Sequence, residues 1–127
     1  MSLSEIYTHS IGALACSAFG STTEQAFFAV TPWAFNPVAE LKFEALTGNA
    51  QLQATIDFAG EDPTIFGGIS WVNMATFTNV SAASAMRYSF PATTVPMLPY
   101  GRMTVRAEAT SSGPASFQQV MLKLFGE

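Results

Sequence analysis

Short runs of alternating apolar and polar residues cover most of this 127-residue chain. Clusters of Gly, Pro, Asn and Ser interrupt them at intervals of about ten residues, a spacing typical of antiparallel sandwiches and barrels. Period-two alternation is expected of strands that bury one face against a core. The sequence therefore predicts an all-β fold, an antiparallel β-sandwich or jelly-roll-like domain of about eight strands. It predicts a single domain over residues 1–127.

One alternating segment predicts a hairpin around Gly48-Asn49, two residues that tolerate turn conformations. A two-residue loop there places Phe43 opposite Ala54 and Leu41 opposite Ile56. All four apolar side chains then share one face of the sheet, which an odd-length loop would not allow. Turn chemistry and side-chain parity agree on this hairpin.

A second hairpin is predicted near the C-terminal end, with its turn at residues 111–114. It places Val105 opposite Val120. Phe117 is out of phase with Val120, which predicts a bulge near Gln118-Gln119. The residues predicted to be buried by the two hairpins are Phe43, Ala54, Ile56, Met103, Val105, Val120 and Leu122.

Residues 38–46 also fit a helix, because Asn36 is a good N-cap and Pro37 suits the first helical position. The matching alternation after Gly48 favours a strand instead. Weaker alternation predicts four further strands, over residues 6–14, 25–31, 69–78 and 87–90.

The chain carries few charges for its length. Lys and Arg number 5 and Asp and Glu number 9, so charged residues make up 11% of the chain and the net charge is −4. A typical globular domain has about 25% charged residues. Scattered basic residues in an acidic chain argue against nucleic acid as a partner. No apolar run approaches the roughly 18 residues of a membrane span. A surface of hydroxyls and amides suits packing against neighbouring copies, so a homo-oligomer is expected.

Candidate catalytic groups are scarce. His9 and Cys16 are the single histidine and the single cysteine, seven positions apart. They could form a base and nucleophile, but no third orienting residue accompanies them, and a structural role for each is the favoured interpretation. Three acids, Asp57, Glu61 and Asp62, could hold calcium, but their spacing fits no calcium motif and a solvated acidic loop is the favoured interpretation. No catalytic residue, metal site or cofactor is predicted.

Aromatic residues suggest a binding role. Trp33, Trp71, Phe77 and Tyr100 could stack on sugars at the rim of a sandwich. Such residues also fill cores and subunit interfaces, which is the interpretation the sequence favours.

Residues 41–124 resemble the β-sandwich decoration, or cement, proteins on the capsids of tailed bacteriophages. The resemblance rests on the first hairpin, the aromatic strand Ile69-Ser70-Trp71-Val72, a proline-rich loop, and Tyr100-Gly101-Arg102 leading into an alternating strand. It implies a non-enzymatic virion protein that binds the major capsid protein on the capsid exterior. The protein would be made in the host cytoplasm and act as a homo-oligomer, with a trimer favoured.

Two alternatives stay open: a carbohydrate- or receptor-binding module of a phage fibre, and a small jelly-roll coat protein. Residues 1–5 are expected to form an N-terminal anchoring arm against a neighbouring subunit or the capsid. The candidate interface or ligand contacts are Met1, Ser2, Leu3, Trp33, Trp71 and Tyr100.

Overall fold

The computed structural model describes residues 4–30, 37–65, 67–80, 86–89 and 98–126. Within these ranges the chain forms nine strands and no helix. The strands are β1 (Ser4–Cys16), β2 (Ser21–Ala29), β3 (Val38–Lys42), β4 (Ala45–Thr47), β5 (Ala50–Ala59), β6 (Val72–Val80), β7 (Met86–Ser89), β8 (Tyr100–Ala109) and β9 (Ala115–Gly126). The predicted all-β class is confirmed, and residues 38–47 contain β3 and β4 rather than a helix.

The strands form two antiparallel sheets that face each other. Sheet A has the order β1-β9-β3-β7, with the short β4 also paired to β9, and sheet B has the order β2-β8-β5-β6. Consecutive long strands therefore alternate between the sheets for much of the chain. This is the arrangement of a jelly-roll β-sandwich.

The core lies between the inner faces of the two sheets. Strand β8 shows the underlying pattern most clearly, because every second residue from Gly101 to Ala109 is buried. All seven residues predicted to be buried are indeed buried. Aromatic rings also pack in the core, with Phe28 stacked on Tyr7 and packed edge-on against Phe58.

The predicted pairing of the first hairpin is wrong. Leu41 of β3 pairs with Leu122 of β9 in sheet A, whereas Ile56 of β5 pairs with Met103 of β8 in sheet B. Gly48 adopts a φ of 82° in the turn, but this turn carries the chain from one sheet to the other. The inner faces of both sheets point into one core. The same residues are therefore buried whether this turn closes a hairpin or connects the two sheets, so the alternation pattern could not distinguish the two.

The predicted pairing of the second hairpin is wrong for the same reason. Val105 pairs with Ala54 in sheet B, whereas Val120 pairs with Gly12 in sheet A. The predicted bulge is confirmed: the register of β9 against β1 shifts at this point, and Gln119 has a φ of 53°.

The four weaker strands correspond to β1, β2, β6 and β7, with end points that differ by a few residues. Ser4 and Glu5, assigned to the anchoring arm, belong to β1 and pair with Gly126 and Phe125. Met1, Ser2 and Leu3 lie outside the described residues. Across the described ranges, no helix is both long and apolar enough to cross a membrane.

Candidate functional site

The outer face of sheet B carries a row of four residues, one from each strand. Phe27 of β2 pairs with Arg102 of β8, Arg102 with Asp57 of β5, and Asp57 with Asn73 of β6. Side chains of directly paired residues point to the same side of a sheet. The row therefore brings an aromatic ring, a guanidinium, a carboxylate and an amide together across the whole width of the sheet.

Trp71, just before β6, packs over this row. The Arg102 guanidinium lies 4.3 Å from the centre of the Trp71 ring, within the range of a cation–π contact. The centres of the Trp71 and Phe27 rings are 6.1 Å apart, with their planes inclined by 36°. Phe27 is 49% exposed. We call Phe27, Trp71 and Arg102 the aromatic patch.

A hydrogen-bond network fixes the position of Arg102. Its Nε and Nη2 donate to Oδ2 of Asp57 at 3.2 and 3.0 Å. Asn73 donates to the other carboxylate oxygen at 3.1 Å and itself accepts a hydrogen bond from Thr76. Asp57 is buried, so its charge is compensated where water has little access. The patch thus rests on a cross-strand ion pair rather than on mobile side chains.

A shallow depression of about 210 Å³ adjoins the aromatic patch. Phe27, Tyr100, Asp62 and Thr64 are among the residues that line it. The hydroxyl and the backbone N–H of Thr64 both donate to Oδ1 of Asp62, at 2.7 and 2.8 Å. The pKa of Asp62 lies below its ordinary value of 3.8 because of these two bonds, the hydroxyl having the larger effect. At neutral pH this side chain is therefore an ionised acceptor.

A second surface lies at one end of the sandwich, where three turns meet. Phe19 N–H donates to Ser111 O at 3.1 Å, and Thr110 N–H donates to Asn49 O at 2.9 Å. Phe19 is 70% exposed and has a φ of 51°, which is unusual for a bulky residue. None of the residues in the three turns, 17–20, 48–49 and 110–114, is charged. We call these turns the loop apex.

His9 and Cys16 do not form a catalytic pair. Both lie on β1, where His9 pairs with Leu122 and Cys16 with Ala115. Seven residues of extended chain place them roughly 20 Å apart. Cys16 is buried and unpaired, as a small apolar residue would be. Partial burial lowers the pKa of His9 below its ordinary 6.5, and nearby Glu24 partly offsets this by raising it.

Two of the three acids considered for calcium, Asp57 and Asp62, have separate partners. Asp57 binds Arg102 and Asn73, whereas Asp62 binds Thr64. Among the described residues, no three His, Cys, Asp or Glu side chains come together in a group that could hold a metal ion.

The aromatic residues considered for sugar binding lie in different environments. Phe77 is buried in the core, Trp71 and Tyr100 are half-buried on the outer side of sheet B, and Trp33 lies outside the described residues. Sequence reasoning missed Phe27 and Phe19. The adjacent Phe27-Phe28 pair was a usable signal, because two neighbouring residues of one strand must point to opposite faces. The sequence contains no comparable signal for the ion pair of Asp57 and Arg102, because that pair forms only when β5 and β8 are neighbours in the sheet.

No protein-family model matches the chain, and no curated protein matches it. Solved structures do share its fold. VP2 of infectious bursal disease virus, in a subviral particle, matches with a TM-score of 0.52 and 14% identity over 94% of this chain and 31% of that chain. The enzymatically active domain of bacteriophage CBA120 tailspike protein 4 matches with a TM-score of 0.51 and 10% identity over 97% and 19%.

Carbohydrate-binding modules of the β-sandwich superfamily match more distantly, with a TM-score of 0.46 and 11% identity over 94% of this chain and 55% of that chain. The chain spans about a third of the VP2 chain and about a fifth of the tailspike chain. At these identities the likeness establishes the β-sandwich fold, which occurs both in capsid and in phage tail proteins.

Proposed function

We propose that this chain is a non-enzymatic structural protein of a virus particle, bound to the exterior of the capsid as a decoration protein. The observation that carries the proposal is the loop apex. It presents an exposed aromatic side chain, Phe19, in a backbone conformation that costs about 1–2 kcal/mol for an L-residue. Strain of this kind is retained mainly where surrounding structure fixes it, and it clusters at functional sites.

The chemistry of the loop apex suits a protein surface. Three turns are tied together by backbone hydrogen bonds, so Phe19 would dock with little loss of conformational freedom. The uncharged residues around it need no ionic partner, and their hydroxyl and amide groups can form hydrogen bonds across an interface. Aromatic side chains such as Phe19 are enriched at the centres of protein interfaces.

The mechanism would be mass action. A subunit that binds the assembled capsid, but not its free components, stabilises the assembled state by its binding free energy at every occupied site. A trimer would contact several copies of the major capsid protein at once and gain avidity. Particle association is further supported by the fold shared with a capsid protein and a phage tailspike.

The test uses particles assembled without this chain, to which purified protein is added and its occupancy measured by quantitative mass spectrometry. Phe19→Asn removes the aromatic ring while keeping a residue that tolerates positive φ, and should reduce occupancy at least tenfold. The matched control is Ile65→Asn, because Ile65 is equally exposed at 70% but lies in another loop. Full occupancy by Phe19→Asn would refute the apex as the docking surface. If no particles form without the chain, it is a coat protein instead.

A second candidate, a carbohydrate- or receptor-binding module, is favoured by a different observation, the aromatic patch on sheet B. The two surfaces do not overlap in sequence, since the patch residues lie outside all three turns of the loop apex. Both functions are therefore compatible in one chain.

A further inference from the structure

We propose that the aromatic patch on sheet B binds an uncharged oligosaccharide, with Trp71 and Phe27 stacking on the face of a sugar ring. This rests on the second candidate function, for which it names the class of ligand, and does not depend on the capsid role. A sugar ring has apolar C–H faces and a rim of hydroxyls, so a site for it needs an aromatic surface with polar groups alongside. The outer face of sheet B provides both.

The aromatic surface is rigid before any ligand arrives. Trp71 lies against Arg102, whose guanidinium is fixed by two hydrogen bonds to Asp57. The contact uses one face of the indole, and the Trp71 side chain is half-exposed. The inclined Phe27 ring borders it at 6.1 Å. A rigid aromatic surface of this kind loses little conformational entropy on binding.

Hydroxyl and amide groups lie beside the patch. The next row of paired positions on the same face consists of Gln25, Thr104, Thr55 and Thr76. Gln25 already donates to the Thr104 hydroxyl at 3.1 Å, which orders part of this row. Such side chains offer both donors and acceptors, as the hydroxyls of a sugar require.

The charges favour a neutral ligand. The positive charge of Arg102 is compensated by Asp57, so it offers little attraction to a sulfate or carboxylate. Asp62, at the neighbouring depression, is ionised, and the whole chain has a net charge of −4. An anionic polysaccharide would be repelled, whereas sugar hydroxyls can donate to the Asp62 carboxylate.

The volume of the depression beside Phe27 limits how much of a ligand this surface can enclose. Its volume of about 210 Å³ is below the roughly 300–1,000 Å³ typical of pockets that surround a drug-sized ligand. It can hold a substituent or one unit of a chain that continues across Phe27 to Trp71. The surface thus fits an oligosaccharide bound along its length better than a small molecule bound in a cavity.

The test is a titration of the purified chain with cellohexaose, mannohexaose and N-acetylchitohexaose, after screening on an array of neutral and anionic oligosaccharides. Binding is followed by calorimetry and by tryptophan fluorescence. Trp71→Ala should weaken binding of the strongest neutral ligand at least tenfold, or about 1.4 kcal/mol. Phe27→Ala should also weaken it, and serves if Trp71→Ala disturbs the fold. Phe19→Asn, which removes an aromatic ring at the loop apex, should bind as the wild type does.

Three outcomes would overturn the proposal: no neutral oligosaccharide binds, a heparin hexasaccharide binds better than every neutral one, or neither patch variant weakens binding. The particle assay separates this site from the capsid role, because Trp71→Ala should keep full capsid occupancy. Loss of occupancy in Trp71→Ala, without any change in sugar binding, would make the patch a protein interface instead.

Discussion

Gly101 shows how one missing side chain allows an aromatic cluster to form. It pairs with both Phe28 and Phe58, and the Phe28 ring occupies the space where a Cβ atom of residue 101 would lie. Glycine is required here by the packing of its neighbours, not by its own backbone conformation. The ring thereby covers the otherwise bare backbone of β8.

Gly101→Ala should consequently lower the free energy of unfolding by about 1–3 kcal/mol, the usual cost of overfilling a packed core. Gly60→Ala is the matched control, because nothing lies within 4 Å of a Cβ atom added there. Urea denaturation of both variants measures the difference. Equal stability of the two variants would contradict the packing described for Phe28.

His9 makes the stability of the fold depend on pH. Its Nε2 atom is buried without a hydrogen-bond partner among the described residues, and burial holds its folded-state pKa below 6.5. The unfolded chain then binds the proton more readily, so stability is complete above the unfolded pKa and decreases as the pH falls towards the folded value. His9→Gln should flatten the dependence of the unfolding midpoint on pH below about pH 6.5, the ordinary value for histidine. An unchanged slope would mean that His9 is solvated.

At the scale of strands, the sequence predicted which residues face the core but not which strands are neighbours. Alternation is a local property, so it identified the buried side of β5, β8 and β9 correctly. Strand pairing is a long-range property: Leu41 meets Leu122, and Phe27 meets Arg102, across large separations in sequence. The aromatic patch depends on that order, which is why Trp71 was identified alone and its neighbours Phe27 and Arg102 were not.

The bulge in β9 is the one irregularity that the sequence did locate, and it gives a prediction for that strand. Gln119 has a φ of 53°, so Gln119→Val should destabilise the fold by about 1–3 kcal/mol, whereas Gln119→Gly should be neutral or stabilising. Gln118→Val is the control, because Gln118 is also exposed but has no positive φ. Thermal unfolding of the three variants is the measurement. A harmless Gln119→Val would show that the bulge can move along β9.

At the scale of the whole molecule, the low charge predicts self-association. Few charges leave little electrostatic repulsion between copies, and exposed aromatic side chains offer apolar surface for contact. We expect a homo-oligomer, a trimer by preference, that buries more than roughly 2,000 Å² of total surface. Multi-angle light scattering at micromolar concentration measures its mass, and a monodisperse monomer would contradict the prediction. Because the loop apex is uncharged, capsid binding should also change little with ionic strength.

The pairing of β1 with β9 has a consequence for how the protein is made. These two strands run side by side from Ser4 to Cys16, although they are the first and the last of the domain. Sheet A therefore lacks a central strand until β9 has left the ribosome. Until then, β1 cannot pair with β9. Sheets dominated by such distant contacts form slowly, in milliseconds to seconds. Productive folding of this domain must therefore wait until β9 has been synthesised, and a nascent chain stalled before residue 115 would leave β1 without this partner strand.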